Sequence, residues 1–299
     1  MNKILKVAAA QLGPASPDKA GTVGRMVALL DQAGQEGVEV VVFPELSLTP
    51  YFAVEILEDP ASFAEASFPS AVTAPLIEAI RRHNITTVVP FAEASPGGLF
   101  NSAALLDGHG QELGRYRKMH IPGTVDPDPE RPHQNFEKRY FLPGDLGFPV
   151  YESTAGPIGM AICYDRRFPE TFRCLGLAGA ELYAVVFNTG YDREAENGLS
   201  KAIEAHELAV RSAALYNGIP AIAAGKAGVE GGAAFIGASS VISHTGEVLA
   251  RASSDDDELV VAELDLDDAA KTRARMDHKT NRRPDQYTAI AGDLALVAG

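Results

Sequence analysis

Short, almost uniformly apolar runs alternate with longer amphipathic ones along this chain, and that alternation limits the fold more than any other feature. KVAAAQL (6–12), VEVVVFPEL (38–46), TTVVPFAE (86–93), IGMAIC (158–163) and ELYAVVFN (181–188) are too short for helices and rich in β-branched residues. They read as buried strands. Between them, residues from about Asp18 to Glu36 place Val23, Met26, Val27, Leu29 and Leu30 on one helical stripe. Further helices are expected over Thr73 to His83, over 169–180 between Pro169 and Gly179, and from about Gly198 to Asn217. FNSAALLD (100–107) followed by GHGQELGRYRK (108–118) reads as a hairpin with a Gly-rich turn. PAIAAGKAG (220–228), SSVISHTGEVLA (239–250) and ELVVAELDLD (258–267) close the series as strands. Strands and helices mixed in this way imply a layered α/β fold, and the hairpins imply mixed sheets.

No low-complexity linker divides the 299 residues, a length that suits one large domain or two ordinary ones. Apolar residues at 46% and charged residues at 22% fit a globular chain that buries a sizeable core without staples. The apolar run near the N-terminus turns polar again by Gln11, too soon for a signal peptide or a membrane span. A cytoplasmic location is the expectation, and the only two cysteines, Cys163 and Cys174, are expected as free thiols. A net charge of −14 repels phosphate backbones, so neither nucleic acid nor an anionic membrane is an expected partner. The acidic run Ser253 to Glu258 is expected as a solvated hairpin tip. The proline-rich stretch 124–132 is expected as an irregular loop of the kind that covers sites.

Chemistry is suggested where apolar strands end in ionisable groups. After VVVFP comes Glu45; an arbitrary glutamate in such a turn is an ordinary edge residue, but strand ends are where α/β folds place their sites. A desolvated carboxylate there would have a raised pKa and could act as a general base. IGMAIC delivers Cys163 directly into Tyr164-Asp165-Arg166-Arg167, which cannot continue a buried strand. A sharp turn would expose the sulfur near helix amides and two cations, which would depress its pKa. Cys174 lies mid-helix and reads as structural. GRYRKMHIPG, with Lys118 and His120, and FEKRYFLPGD, with Glu137, read on their own as solvated charged segments. A cysteine nucleophile needs a base. A Cys–His pair is possible through His120, and a glutamate base with a lysine for the oxyanion is the other solution.

FPEL with Glu45, YRKMHIPG with Lys118 and AICYDRRFPE with Cys163 together resemble the Glu–Lys–Cys signature of the nitrilase superfamily of carbon–nitrogen hydrolases. Within it, NFEKRYFLPGDLGFPVY, FNTG, GKAGVEGG and NRRPDQY are most similar to the N-carbamoyl-D-amino-acid amidohydrolases. Tyr164 and Asn135 stand where that branch carries asparagine and histidine, and CYDxRFPE is typical of several amidase branches. The resemblance implies an αββα sandwich that pairs into a four-layered homodimer or a homotetramer. One domain would then span 1–299, with the tail from about 288 extended for subunit contacts. It implies Cys163 as nucleophile, Glu45 as base, Lys118 as oxyanion stabiliser and Glu137 as a second, positioning glutamate. It also implies substrate contacts at His120, Tyr164, Arg166, Arg167, Asn188 and Asn135. No metal or other cofactor is implied, and the sequence has neither a Cys/His ligand cluster nor a Gly-rich phosphate loop. The expected substrate is a small N-carbamoyl amino acid. An aliphatic amidase, or a carbamoyl hydrolase for β-amino acids or N-carbamoylputrescine, is the alternative. A non-catalytic module that kept the fold and a metal-dependent amidohydrolase are the readings from other classes.

Overall fold

The structure is a computed structural model, and it describes residues 3–16, 18–128 and 134–291. Its strands form two six-stranded mixed sheets and a small three-stranded one. The first sheet is built from β1 (Ile4–Gln11), β2 (Val40–Val42), β3 (Thr86–Ser95), β4 (Gly98–Leu106), β5 (Glu112–Arg117) and the last strand, Glu258–Asp265. Its order is last strand, β1, β2, β3, β4, β5. Here β1, β2 and β3 run parallel, and the flanking pairs are antiparallel.

The second sheet repeats that plan. It uses β6 (Val150–Tyr151), β7 (Ile158–Ile162), β8 (Leu182–Phe187), β10 (Ala221–Gly225), β13 (Ser240–Ile242) and β14 (Val248–Arg251). The order is β14, β13, β10, β8, β7, β6, with β7, β8 and β10 parallel. The short strands β9 (Gly190–Tyr191), β11 (Ala227–Glu230) and β12 (Ala233–Ile236) make the third sheet; the final strand is β15.

Helices α1 (Lys19–Gln35) and α2 (Ala74–His83) cover the outer face of the first sheet, joining Met26, Leu30, Leu76 and Ile80 to Ala8, Ala10, Val41 and Val89. The opposite face of the same strands, with Val7, Ala9, Val40, Val42 and Val88, packs against the second sheet. A one-residue offset along each strand thus separates the two layers. Helices α4 (Pro169–Leu177) and α5 (Gly198–Asn217) add Phe172, Leu175, Val210 and Ala214 on the far side. The layering is αββα, as expected. Among the described residues between β5 and β6, a helical turn, α3 (Glu137–Tyr140), interrupts irregular chain.

Four sequence expectations shift. Strand 86–93 turns directly into 98–106, so the expected hairpin is a three-stranded meander, β3–β4–β5. Residues 239–250 are two strands folded about the Ser243–Gly246 turn. The acidic run 253–258 is no hairpin tip. It carries the chain from β14 in one sheet to β15 in the other, and Asp257 is held there by Arg25 and by the Gly13 amide. The strand read through 267 ends at Asp265, which caps α6 (Leu266–Met276) by accepting from the Asp268 amide. Of the stretch 124–132, the described part to Asp128 is irregular, and the rest lies outside the described residues. The same holds for the tail from 292.

Candidate active site

The C-terminal ends of the parallel strands converge, and each delivers a polar residue. Glu45 follows β2, Cys163 follows β7, Asn188 follows β8 and Lys226 follows β10. Lys118 follows the edge strand β5. Its seat is set by backbone: its N–H donates to the Asn101 carbonyl at 2.8 Å, and its own carbonyl accepts from Gly144 N at 2.7 Å. Gly144 has to be a glycine, because a Cβ there would lie 2.1 Å from the Arg117 carbonyl oxygen.

Glu45, Lys118 and Glu137 are all fully buried. The Lys118 ammonium donates to Glu45 Oε1 at 2.8 Å and to the two oxygens of Glu137 at 2.9 and 2.7 Å. Asn101, a buried asparagine within β4, donates to Glu45 Oε1 at 2.7 Å. The other oxygen of Glu45 accepts from the Asn188 amide at 2.8 Å, and Asn188 Nδ2 returns a bond to the Glu45 carbonyl at 2.8 Å. Glu137 also accepts from the Tyr51 hydroxyl. Asn135 Nδ2 donates to that hydroxyl at 2.7 Å, and Asn135 Oδ1 accepts from the Glu137 amide at 2.8 Å. Two carboxylates around one ammonium leave an excess of negative charge. Burial, and then the charge of Glu137, push the Glu45 carboxyl above its ordinary 4.5, against the pull of Lys118. Burial alone would lower Lys118, but the two glutamates outweigh it and hold the ammonium charged far above the usual lysine range.

Cys163 sits in the left-handed region, φ 49°, at the point where β7 breaks into a 3₁₀ stretch over Cys163–Arg167. A non-glycine residue held there is strained, a feature that clusters at functional sites. Asp165, fully buried, over-determines this elbow. One of its oxygens accepts from the Ile162 amide at 3.0 Å and the Tyr116 hydroxyl at 2.7 Å. The other accepts from the His120 amide at 3.0 Å and lies 2.8 Å from His120 Nδ1. The Cys163 sulfur is 4.0 Å from the Asn188 carbonyl and 3.5 Å from Arg166 Nη1. The expected depression of the thiol pKa is reversed. Burial and the nearby Glu45 raise it, and Lys118 and Arg166 offset only part of that. The resting sulfur is therefore a thiol that needs a base. Cys174, read as a structural residue in mid-helix, is an exposed free thiol on α4.

The structure thus brings Glu45, Lys118, Glu137 and Cys163 together, with Asn188 and Asn135 hydrogen-bonded around them. His120 is half-buried, stacked on Phe168 with ring centroids 3.7 Å apart, and held by Asp165 rather than by Cys163. Arg166 is turned inward and committed to the Cys163 carbonyl at 2.6 Å and the Thr189 hydroxyl at 2.7 Å. Tyr164 and Arg167 are exposed. Sequence reasoning missed Tyr51, Asn101 and Thr189. Asn101 carried a signal, a polar side chain in the middle of a buried strand, and Thr189 lies in the FNTG stretch of the resemblance, whereas Tyr51 carried none. Among the described residues no cluster of histidine, cysteine, aspartate and glutamate could hold a metal ion. None of the helices there is long and apolar enough to cross a membrane.

An αββα sandwich whose strand ends gather a glutamate, a lysine and an elbow cysteine defines a class, and the chain belongs to it: residues 6–274 match the carbon–nitrogen hydrolase family, within the nitrilase superfamily. It is a hydrolase of carbon–nitrogen bonds other than peptide bonds. Over 297 residues it is 29% identical to an N-carbamoylputrescine amidase from Solanum tuberosum, covering 97% of this chain and 95% of that one. A citrullinase from Francisella tularensis is 27% identical over 295 residues, with 96% and 98% covered. The crystal structure of a carbon–nitrogen hydrolase from Helicobacter pylori G27 superposes with a TM-score of 0.87 at 29% identity, covering 97% of this chain and 99% of that one.

Proposed function

We propose that this hydrolase acts on an N-carbamoyl amino acid or amine through a carbamoyl-thioester on Cys163. The observation that carries the reading is the buried cluster itself: an elbow thiol that needs a base, beside a carboxylate with raised pKa and a permanently charged ammonium. Glu45 takes the thiol proton as the sulfur attacks the carbamoyl carbon. The negative charge that develops on oxygen is met by Lys118 and by the Tyr164 backbone N–H at the start of the 3₁₀ stretch. Glu45 passes its proton to the departing nitrogen, the C–N bond breaks and the amine leaves. Water, deprotonated by the same glutamate, attacks the thioester carbon, the C–S bond breaks, and Glu45 returns the proton to the departing Cys163 sulfur. The carbamate released decomposes to ammonia and carbon dioxide. Glu137 keeps Lys118 in place throughout, and no step draws on a metal.

The names of the relatives favour the carbamoyl group over a simple amide, and they leave two kinds of amine tail. Of the two arginines that the resemblance places at the substrate, Arg166 is turned inward onto the Cys163 carbonyl and the Thr189 hydroxyl. Arg167, exposed four residues after Cys163, remains for an anionic tail. The test is a panel of N-carbamoyl amino acids, citrulline, N-carbamoylputrescine and simple aliphatic amides. Turnover of a carbamoyl substrate is expected, with a carbamoyl adduct on Cys163 in acid-quenched reactions by mass spectrometry. Cys163→Ala should lose at least ~10⁴-fold in turnover. Preference for aliphatic amides, or turnover by Cys163→Ala, refutes the proposal.

A further inference from the structure

The strand-end position of β10 is filled by a second buried lysine for which the chemistry above has no use. Lys226 is fully buried, and its partner Glu230, four residues on in β11, nearly so. Burying an ion pair is expensive unless its hydrogen bonds are complete. Here they are directed at one piece of chain. Lys226 donates to the Thr49 carbonyl at 2.6 Å and to both oxygens of Glu230 at 3.1 Å. Glu230 in turn accepts from the Tyr51 amide at 2.8 Å and from the Ala15 amide. The pair therefore grips residues 49–51 from both sides. The chain leading into it starts at Glu45, passes through the left-handed Leu46, φ 47°, and reaches Tyr51, whose hydroxyl donates to Glu137. The Tyr51 ring is fixed edge-on against Phe235 of β12, with centroids 5.6 Å apart.

We infer that Lys226 and Glu230 are positioning residues that act through Tyr51 on Glu137, and through Glu137 on Lys118. The inference rests on the catalytic reading of that cluster. An ammonium displaced by a fraction of an ångström no longer meets the developing oxyanion, so the loss should fall on kcat and leave KM nearly unchanged.

The experiment compares the double variant Lys226→Met/Glu230→Gln in the native background and in Tyr51→Phe. In the native background kcat should fall about 10- to 100-fold. In the Tyr51→Phe background, where the relay is already cut, the same change should cost less than about 3-fold, the non-additivity expected of linked residues. Lys226→Arg, which keeps a buried cation facing Thr49, should recover most of the lost turnover; it also serves as the test if the double variant does not fold. An equal loss in both backgrounds, an undiminished kcat in a folded double variant, or a Lys226→Arg no better than Lys226→Met overturns the inference. These ratios are independent of which amine leaves. The Cys163→Ala control and the adduct, not this comparison, decide the catalytic reading itself.

Discussion

Lys118 and Lys226 are both fully buried at strand ends, one on each six-stranded sheet, yet their surroundings push them in opposite directions. Lys118 faces two carboxylates, and its ammonium is held charged well beyond the ordinary range. Lys226 faces one carboxylate and a backbone carbonyl; burial outweighs these partners and lowers its pKa from 10.5. The second pair is balanced and spends its hydrogen bonds on backbone, which suits a brace. The first cluster carries one negative charge too many, and that surplus adds to burial in raising Glu45, which makes it a base for the buried thiol. A site built for stability alone would not leave it there.

The hardest test of the contrast is to remove each cation. Lys118→Ala should cut turnover by at least ~10³-fold, since it removes an oxyanion donor and leaves two buried carboxylates facing each other. Lys226→Met should stay within about 100-fold, because only geometry is lost. Steady-state kinetics on whichever carbamoyl substrate the panel selects decides this. Equal losses would mean that both lysines touch the reaction, and the distinction between catalytic and positioning roles would fall.

A smaller effect is expected in the pH profile. The acid limb of kcat/KM reports the free enzyme's Glu45, which must be ionised to accept the thiol proton. Its pKa is raised, so the limb should lie above 4.5. Glu137 is one of the causes of that rise. Glu137→Gln should therefore move the limb to lower pH, even as it lowers the plateau. A limb that stays in place would assign it to a group other than Glu45.

The parts of this arrangement legible in the sequence are those written into strand ends. VVVFPEL and AICYDRRFPE break a buried strand with an ionisable residue, and both breaks fall at the site. The same signal was present in AIAAGKAG, where Lys226 follows β10, but read as one strand over 220–228 it gives the lysine no strand end to occupy. Lys118 and Glu137 lie in charged stretches whose burial cannot be read locally. It arises because β5 and α3, far from β2 in sequence, fold over Glu45. Helix α6 was announced by Asp265 as its cap, Asp267 and Asp268 in its first turn and Arg273 and Arg275 in its last. The strand pattern running into it masked those signs. The thiol pKa was misjudged for a related reason: Arg166 and Arg167 are visible in the sequence, while the burial and the glutamate that overrule them are not.

Stability supplies the finest test, because one kind of substitution should have opposite signs at the two lysines. A carboxyl whose pKa folding raises holds its proton more tightly in the native chain than in the unfolded one. Its contribution to stability therefore falls as pH climbs past the ordinary carboxyl range. Glu137→Gln leaves one carboxylate and one ammonium, the same balance as Lys226 and Glu230. It relieves the repulsion on Glu45 and keeps one oxygen to accept from Lys118, while the oxygen lost to the amide nitrogen offsets part of that gain. The expected result is a gain of about 1 kcal/mol near neutral pH that shrinks as the pH falls toward 5, where the native protein can protonate Glu45 instead. Glu230→Gln has no surplus charge to relieve and leaves Lys226 buried beside a neutral amide, so it should lose about 3 kcal/mol. Thermal unfolding of both variants from pH 5 to 8 measures the pair. Losses of the same sign and size at both positions would show that the cluster around Lys118 is as well balanced as the brace, and the account of Glu45 as a charge-strained base would be wrong.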